Sequence, residues 1–261
     1  MNVPKVELKP CFLSPKKPKP EYPLFVYLPG MDGTGQLLRS QTAGLEVGFD
    51  VRCFAIPRHD LTSWEDLANN VLDLIYTELK RNSQRLVYLC GESFGGCLAQ
   101  KVAIKAPHLF KRIILINPAS SFKLRSWYVW ASPLMNLVPG WVYDVSSVGL
   151  LPFLAALTRI TQSDRQELLE TVSSVPRETI IWRISLLRQF DIDESKLSQL
   201  TQPTLILASL EDRLLPSREE AQRLKNIFPN SNIVTLRDSG HACLLEAEIN
   251  LYKILKDTNF I

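Results

Sequence analysis

The apolar run Leu86-Val87-Tyr88-Leu89-Cys90 leads straight into Gly91-Glu92-Ser93-Phe94-Gly95, and a helical stretch follows from about Phe94 to Lys105. A strand that turns so abruptly into a helix leaves few architectures open. The turn is too sharp for side chains on either side of it, which is why Gly91 and Gly95 flank Ser93. Such a turn pushes the serine oxygen out above the sheet edge. The first N–H groups of the helix then point where an oxyanion would form. Gly-x-Ser-x-Gly by itself is a weak pattern in a chain of 261 residues, and a turn serine without chemistry is its bland reading. The strand before it and the helix after it make Ser93 the candidate nucleophile.

The rest of the chain alternates in the same way. Leu24 to Leu28 is a buried strand between Pro23 and Pro29, and Phe49 to Ile56 is the next. Trp64, Leu67, Ala68, Val71, Leu72, Ile75 and Leu79 recur at helical spacing, with Thr62 or Ser63 as N-cap. Arg112 to Asn117 and Pro203 to Ala208 read as buried strands. A helix is expected from Ser217 to Phe228, a last strand from Ile233 to Leu236 and a last helix from Ala242 to Leu255. Strands alternating with helices imply an α/β fold, a mostly parallel sheet covered on both faces. Between 119 and 201 the alternation stops. That segment is too long for a loop and too apolar for disorder, so we read 24–118 and 202–261 as the core and 119–201 as a helical cap insert. Residues 1–23, with six prolines, read as a leader or edge segment in which Val6-Glu7-Leu8 and Cys11-Phe12-Leu13 offer a short strand.

A serine hydroxyl needs a base within hydrogen-bond reach, and that base needs a group to orient it. The chain has three histidines. His59 and His108 sit in surface-turn contexts, Pro57-Arg58-His59-Asp60 and Ala106-Pro107-His108-Leu109. His241 lies in Asp238-Ser239-Gly240-His241-Ala242, after the last strand, where a loop swings an imidazole back over the sheet edge. The acid should end a strand between Ser93 and His241. Asp212 fits best, following the strand at 203–208; Glu211, one position off, and Asp238, on the histidine's own loop, stay open as alternatives. An oxyanion site also needs two backbone N–H groups. Phe94, after the serine, supplies one. Met31 is the natural second, because Gly30 before it lets the backbone come close. Gly30-Met31-Asp32-Gly33-Thr34-Gly35 lacks the Gly-Lys-Ser/Thr ending of a phosphate loop, so nucleotide binding is not expected.

Composition excludes several other classes. A net charge of +3 with no basic run interleaved with aromatics gives no case for nucleic acid. Cys11, Cys53, Cys90, Cys97 and Cys243 are odd in number and scattered, with no metal-ligand spacing. They read as reduced core thiols in a reducing, intracellular compartment, and no metal or cofactor is expected. The N-terminus lacks the apolar core of a secretory signal.

Three segments carry a resemblance beyond the motif: Leu28 to Gly35, Gly91 to Cys97, and Ile116-Asn117-Pro118-Ala119-Ser120-Ser121-Phe122. With them the chain resembles the α/β-hydrolase superfamily along essentially its whole length. More narrowly, it is similar to the esterase/lipase/thioesterase family that includes plastid phytyl ester synthases and their cyanobacterial relatives. The resemblance implies Ser93, Asp212 and His241 as a catalytic triad and Met31 and Phe94 as oxyanion donors. It implies acyl or isoprenoid ester chemistry near photosynthetic membranes, at a thylakoid surface, in the cyanobacterial cytoplasm or in a plastid. Plant members carry a further acyltransferase domain downstream. Here the residues five after the three histidines are Trp64, Ile113 and Glu246, so the His-x4-Asp signature of that domain is missing. Hydrolysis is therefore expected, or transfer through an acyl-Ser93 intermediate to an alcohol; a non-catalytic lipid-binding protein on the same fold is the rival from another class.

The insert bears on the substrate. From Trp127 to Leu157 the only charged residue is Asp144, and Trp127, Trp130 and Trp141 lie within the run. Pro133, Pro139-Gly140 and Pro152 break it, against a membrane-spanning helix. The plain reading is a cap packed on the sheet domain. The functional one is a cap that also lines an acyl pocket, with these tryptophans as substrate contacts, or touches a bilayer interface.

Overall fold

Six parallel strands and one antiparallel edge strand form a single sheet in the computed structural model, which describes residues 9–124 and 151–261. The edge strand β1 (Cys11–Leu13) pairs antiparallel with β3, and Val6 to Leu8 lie outside the described residues. Every residue of β2 (Leu24–Leu28) is buried. Its side chains alternate between two cores: Leu24, Val26 and Leu28 enter one, Phe25 and Tyr27 the other. A strand buried on both faces reads as a continuous apolar run, which is what its sequence is.

Helix α1 (Arg39–Leu45) leads to β3 (Asp50–Ala55), and the amphipathic α2 (Trp64–Leu79) to β4 (Val87–Glu92). Ser63 caps α2 through a reciprocal pair with Asp66. Then follow α3 (Phe94–Lys105) and β5 (Phe110–Ile116). Before β6 (Thr204–Ser209) the described residues carry α4 (Gln162–Ser173), α5 (Arg177–Arg188) and α6 (Glu194–Leu197). The chain ends with α7 (Ser217–Ile227), β7 (Ser231–Leu236) and α8 (Leu251–Asp257). The strand order is β1-β3-β2-β4-β5-β6-β7. Consecutive strands run outward from β2 in opposite directions, so the order reverses between β2 and β4. In open α/β sheets, ligands enter at the carboxyl ends of such neighbouring strands.

Besides strand ends that shift by one or two residues in β5 and β7, two departures from the sequence expectation bear on the site. β4 runs past Cys90 through Gly91 and Glu92, which pair with Leu115 and Ile116 of β5. The turn is thus concentrated at Ser93. The expected helix from Ala242 to Leu255 is broken into a short 3-10 turn, Cys243–Leu245, and α8. Glu246 turns its side chain inward there, and Asn250 starts a new helix by accepting the Lys253 N–H.

Residues 151–201 do not stand apart from the sheet. Leu186, Leu187, Phe190, Leu197 and Leu200 join the core under α2 and α3, and the Trp64 indole donates to the Leu186 carbonyl at 2.9 Å. Ala155, Ile160 and Leu168 pack with Leu37, Ala242 and Leu245 in a separate cluster. No helix among the described residues is long and apolar enough to cross a membrane.

Candidate active site

Ser93 stands between β4 and α3 with φ 53 and ψ −115, a conformation that costs an ordinary residue about 1–3 kcal/mol. The surroundings hold it there. Its N–H donates to Ile116 O at 3.0 Å, and its carbonyl accepts from Gly96 N and Ala119 N at 2.9 and 3.0 Å. A Cβ on Gly95 would lie 2.0 Å from the Leu28 carbonyl oxygen, and one on Gly91 would lie 2.2 Å from Gly95 O. The two glycines are therefore required by close approach of α3 to β2 and β4, and the serine between them takes the strain.

That approach brings three loops together. Ser93 is 9% exposed, and its Oγ lies 2.9 Å from His241 Nε2. The other ring nitrogen, Nδ1, lies 2.8 Å from Asp212 Oδ2. Asp212 Oδ1 accepts the Leu214 and Leu215 N–H groups at 2.9 Å each, and Oδ2 also accepts the Ser217 hydroxyl. Its carboxylate thus has its lone pairs occupied and one orientation fixed. Glu211 and Asp238, the other acids open for this position, are exposed, as are His59 and His108.

Electrostatics follow from burial and pairing. Burial alone would pull His241 down, but the charge and hydrogen bond of Asp212, with Glu92 beyond, outweigh it and leave the imidazole above its usual 6.5. Burial would raise Asp212; His241 first, then the Ser217 and Leu215 hydrogen bonds, hold it below the usual carboxylate range. Glu92 is 5% exposed and accepts the Tyr27 hydroxyl. Burial pushes its carboxyl up to about 7, and the Tyr27 bond and His241 only partly offset that.

On the β2 side, Gly30 directly faces the serine: a Cβ there would sit 3.8 Å from Ser93 Cβ. Met31 follows it, and Phe94 opens α3. Neither the Met31 nor the Phe94 N–H has a hydrogen-bond partner among the described residues. The Phe94 ring is fully buried and stacks on Trp64 at 4.3 Å, so this residue offers its backbone only. Trp127, Trp130 and Trp141 lie outside the described residues. The five cysteines are free thiols, Cys53 pushed up to about 12 by burial, and among the described residues no group of three potential metal ligands occurs.

Comparison with known proteins points to the same architecture. The family described as serine aminopeptidase, S33, matches residues 55–248, well over half of the chain. The chain belongs to this family of α/β-hydrolases. A hydrolase from Oleispira antarctica has the same fold, with a TM-score of 0.73 at 18% identity over 95% of this chain and 93% of that one. Phytyl ester synthase 1, chloroplastic, of Arabidopsis thaliana is 34% identical over 93% of this chain. Phytyl ester synthase 2, chloroplastic, of the same plant is 30% identical over 91%. This hydrolase spans 38% of the length of each.

Three polar residues of the site have no role that the sequence assigns. Asn117, fully buried at φ 42, donates to Ser209 Oγ at 2.9 Å and to the His241 carbonyl at 2.8 Å, and accepts the Ser209 N–H at 2.9 Å. It ties the ends of β5 and β6 to the histidine loop. Glu246, also fully buried, accepts Gly240 N and Ser239 Oγ at 2.8 Å and pairs with Arg159 at 2.8 Å. Glu92 is the third. A polar residue closing an apolar run is the available signal for Asn117, after Ile113 to Ile116, and for Glu92; nothing local marks Glu246.

Proposed function

We propose that this hydrolase is a serine esterase acting on a lipophilic ester through an acyl-serine intermediate. The observation that carries the reading is the continuous hydrogen-bonded line Ser93–His241–Asp212, at 2.9 and 2.8 Å, on a strained strand-to-helix turn. In this reading His241 Nε2 takes the Ser93 proton as Oγ bonds to the ester carbonyl carbon. The carbonyl π electrons move to oxygen, where the Met31 and Phe94 N–H groups receive the charge. The tetrahedral adduct collapses and the alcohol leaves with the proton from His241. Water, deprotonated by the same imidazole, then releases the acid and restores Ser93. Asp212 holds the ring tautomer and stabilises the imidazolium.

The lipophilic substrate is supported by the near-chargeless, tryptophan-bearing run from Trp127 to Leu157 and by the likeness to proteins named for phytyl esters. We assign 119–201 the role of an insert over the carboxyl ends of the strands, with 24–118 and 202–261 as the core. The name of those relatives also favours a second reading, transfer of the acyl group from Ser93 to an alcohol in place of water. Product analysis with phytol as acceptor separates the two.

Ser93→Ala and His241→Ala should each remove nearly all turnover of a p-nitrophenyl ester, and the double variant should be little worse, because such residues act as a unit. Wild-type turnover in Ser93→Ala would end the proposal, and failure of a fluorophosphonate to label Ser93 would favour a lipid-binding protein. Substrate class is read from kcat/KM across esters of two to sixteen carbons below their micelle concentrations. Each buried methylene should contribute about 0.8 kcal/mol. Two added carbons then raise kcat/KM roughly tenfold until the pocket is filled. A flat or falling series leaves a generic esterase.

A further inference from the structure

Helix α5 has an unusual buried face. Thr179, Trp182 and Arg183 lie one turn apart or adjacent, and each donates to a backbone carbonyl of a loop at the carboxyl end of the sheet. Thr179 Oγ1 reaches Arg58 O at 2.7 Å and Trp182 Nε1 reaches Thr62 O at 3.0 Å. Arg183 Nη1 reaches Met31 O at 2.5 Å and Nη2 reaches Pro57 O at 3.3 Å. Arg183 is 2% exposed and among the largest fully buried side chains of the described residues. Burying a guanidinium is costly, and an apolar residue would fill the same space at less cost. Asp32 attracts it, yet the Asp32 carboxylate is turned to Thr34 N and Oγ1 at 2.8 and 2.6 Å. The charge of Arg183 is thus directed at two carbonyls, one of them in the loop facing Ser93.

That loop is shaped to receive it. Gly33 has φ +70, and a Cβ there would lie 2.8 Å from Nη1 and 3.0 Å from Nη2. The guanidinium lies against the bare Gly33 backbone while holding the Met31 carbonyl. Fixing that carbonyl fixes the peptide plane after Met31, and the Gly33 N–H, donating to Gly30 O at 3.0 Å, fixes the plane before it, so the backbone of Met31 is held from both ends. A donor contributes to catalysis when it is aimed before the charge develops.

We propose that Arg183 is a positioning residue that aims the Met31 N–H at the developing oxyanion. The proposal rests on the esterase reading. It makes α5, far from Ser93 in the sequence, part of what sets the rate.

The test uses Arg183→Met, which keeps length and removes charge and donors. Reactive sites are counted by fluorophosphonate titration, so that turnover is expressed per intact site. Arg183→Met should lower kcat about 10- to 100-fold, less than the 10²–10³ lost when a donor is removed outright, with KM within about twofold of wild type. An aliphatic trifluoromethyl ketone, which adds Ser93 Oγ to its carbonyl carbon and places the charge on the former carbonyl oxygen, should bind more weakly by the same factor. Arg183→Lys, retaining one donor, should recover part of both. If Arg183→Met does not give soluble protein, Arg183→Gln and Arg183→Lys are read by the same measurements. The proposal is overturned by wild-type kcat per titrated site, by a loss confined to KM, or by lowered kcat with unchanged ketone affinity. Ser93→Ala, run alongside, reads the esterase assignment separately. Its failure removes both, whereas a Ser93-dependent enzyme indifferent to Arg183 removes only this proposal.

Discussion

The serine side of the site and the histidine–aspartate side are held by opposite means. Ser93 is fixed by backbone hydrogen bonds to Ile116, Gly96 and Ala119 and by places where side chains are absent. His241 and Asp212 are fixed, beside the Leu214 and Leu215 N–H groups on Asp212, mainly by side chains brought from elsewhere: Asn117 from the end of β5, Ser217 from the start of α7, and Glu246 with Arg159 behind it. The first arrangement fails by collision, because a packed backbone has no room to give. The second fails by loss of a buried hydrogen bond, which costs stability and aim but leaves the chain able to fold. Mutations on the two sides should therefore differ in kind as well as in size.

The largest effect is expected at Gly95. Its Cβ would lie 2.0 Å from Leu28 O and 2.5 Å from Pro29 O, both backbone atoms of the β2 end that cannot swing away. Gly95→Ala should cost more than about 4 kcal/mol, the range of severe packing lesions, or yield no folded protein. Gly44→Ala is the control: its Cβ would find Asn250 Oδ1 at 3.4 Å, and denaturant midpoints should move little. A Gly95→Ala protein unfolding at the wild-type midpoint would show that the elbow is not held by close approach.

Asn117 comes next and probes the other side. Asn117→Gly removes the hydrogen bonds to Ser209 and the His241 carbonyl while still permitting φ 42, so it separates bonding from backbone strain. It should fold cooperatively, lose about 1–3 kcal/mol for each buried group left unpaired, and label more slowly with a fluorophosphonate. Asn117→Ala should be worse by the αL penalty of about 1–2 kcal/mol. Wild-type stability or wild-type labelling by Asn117→Gly would remove the bracket we assign to this residue, whereas equal stabilities for the two variants would show only that φ 42 carries no strain.

The same division explains which features are legible in the sequence and which are not. The elbow is legible because its constraints are local: an apolar strand, a glycine on each side of Ser93, and a helix whose bounds, Phe94–Lys105, match the expectation. So is α2, whose apolar spacing and Ser63 cap lie within one stretch. The alternation alone places the loops bearing Asp212 and His241 at strand ends. It does not reveal what holds them. Arg183 and Met31 are 152 positions apart, and Asn117 and His241 are 124. No periodicity links such residues, and in the sequence Arg183 is simply a charged residue in an ordinary helix. The break after Leu245 escapes a sequence reading for a different reason: Glu246 leaves the helix to satisfy Gly240 and Ser239, which lie close in sequence but outside any helix or strand. Local propensity favours a longer helix; a buried donor pair overrides it.

Glu92 sits between the two sides, and the smallest predicted effect belongs to it. It lies in the elbow, accepts the Tyr27 hydroxyl, and its charge favours protonation of His241. In the proposed reaction only neutral His241 can take the Ser93 proton, so kcat/KM falls as pH drops through the imidazole's titration. Because His241 is held above 6.5, the midpoint of that acid limb should lie above pH 6.5. Glu92 itself is pushed to about 7, so the two groups titrate together. As Glu92 takes up a proton its pull on His241 weakens, and the limb should be broader than a one-proton curve. Glu92→Gln keeps an oxygen for the Tyr27 hydroxyl and removes the charge. Loss of a nearby negative charge lowers the imidazole's pKa, so the limb should move to lower pH and sharpen toward one proton. The alkaline plateau, where His241 is neutral in both proteins, should change little. A limb that stays in place would mean that Glu92 is screened from His241. A shift to higher pH would reverse the sign of the coupling, and Glu92 would then belong to the packing of the elbow alone.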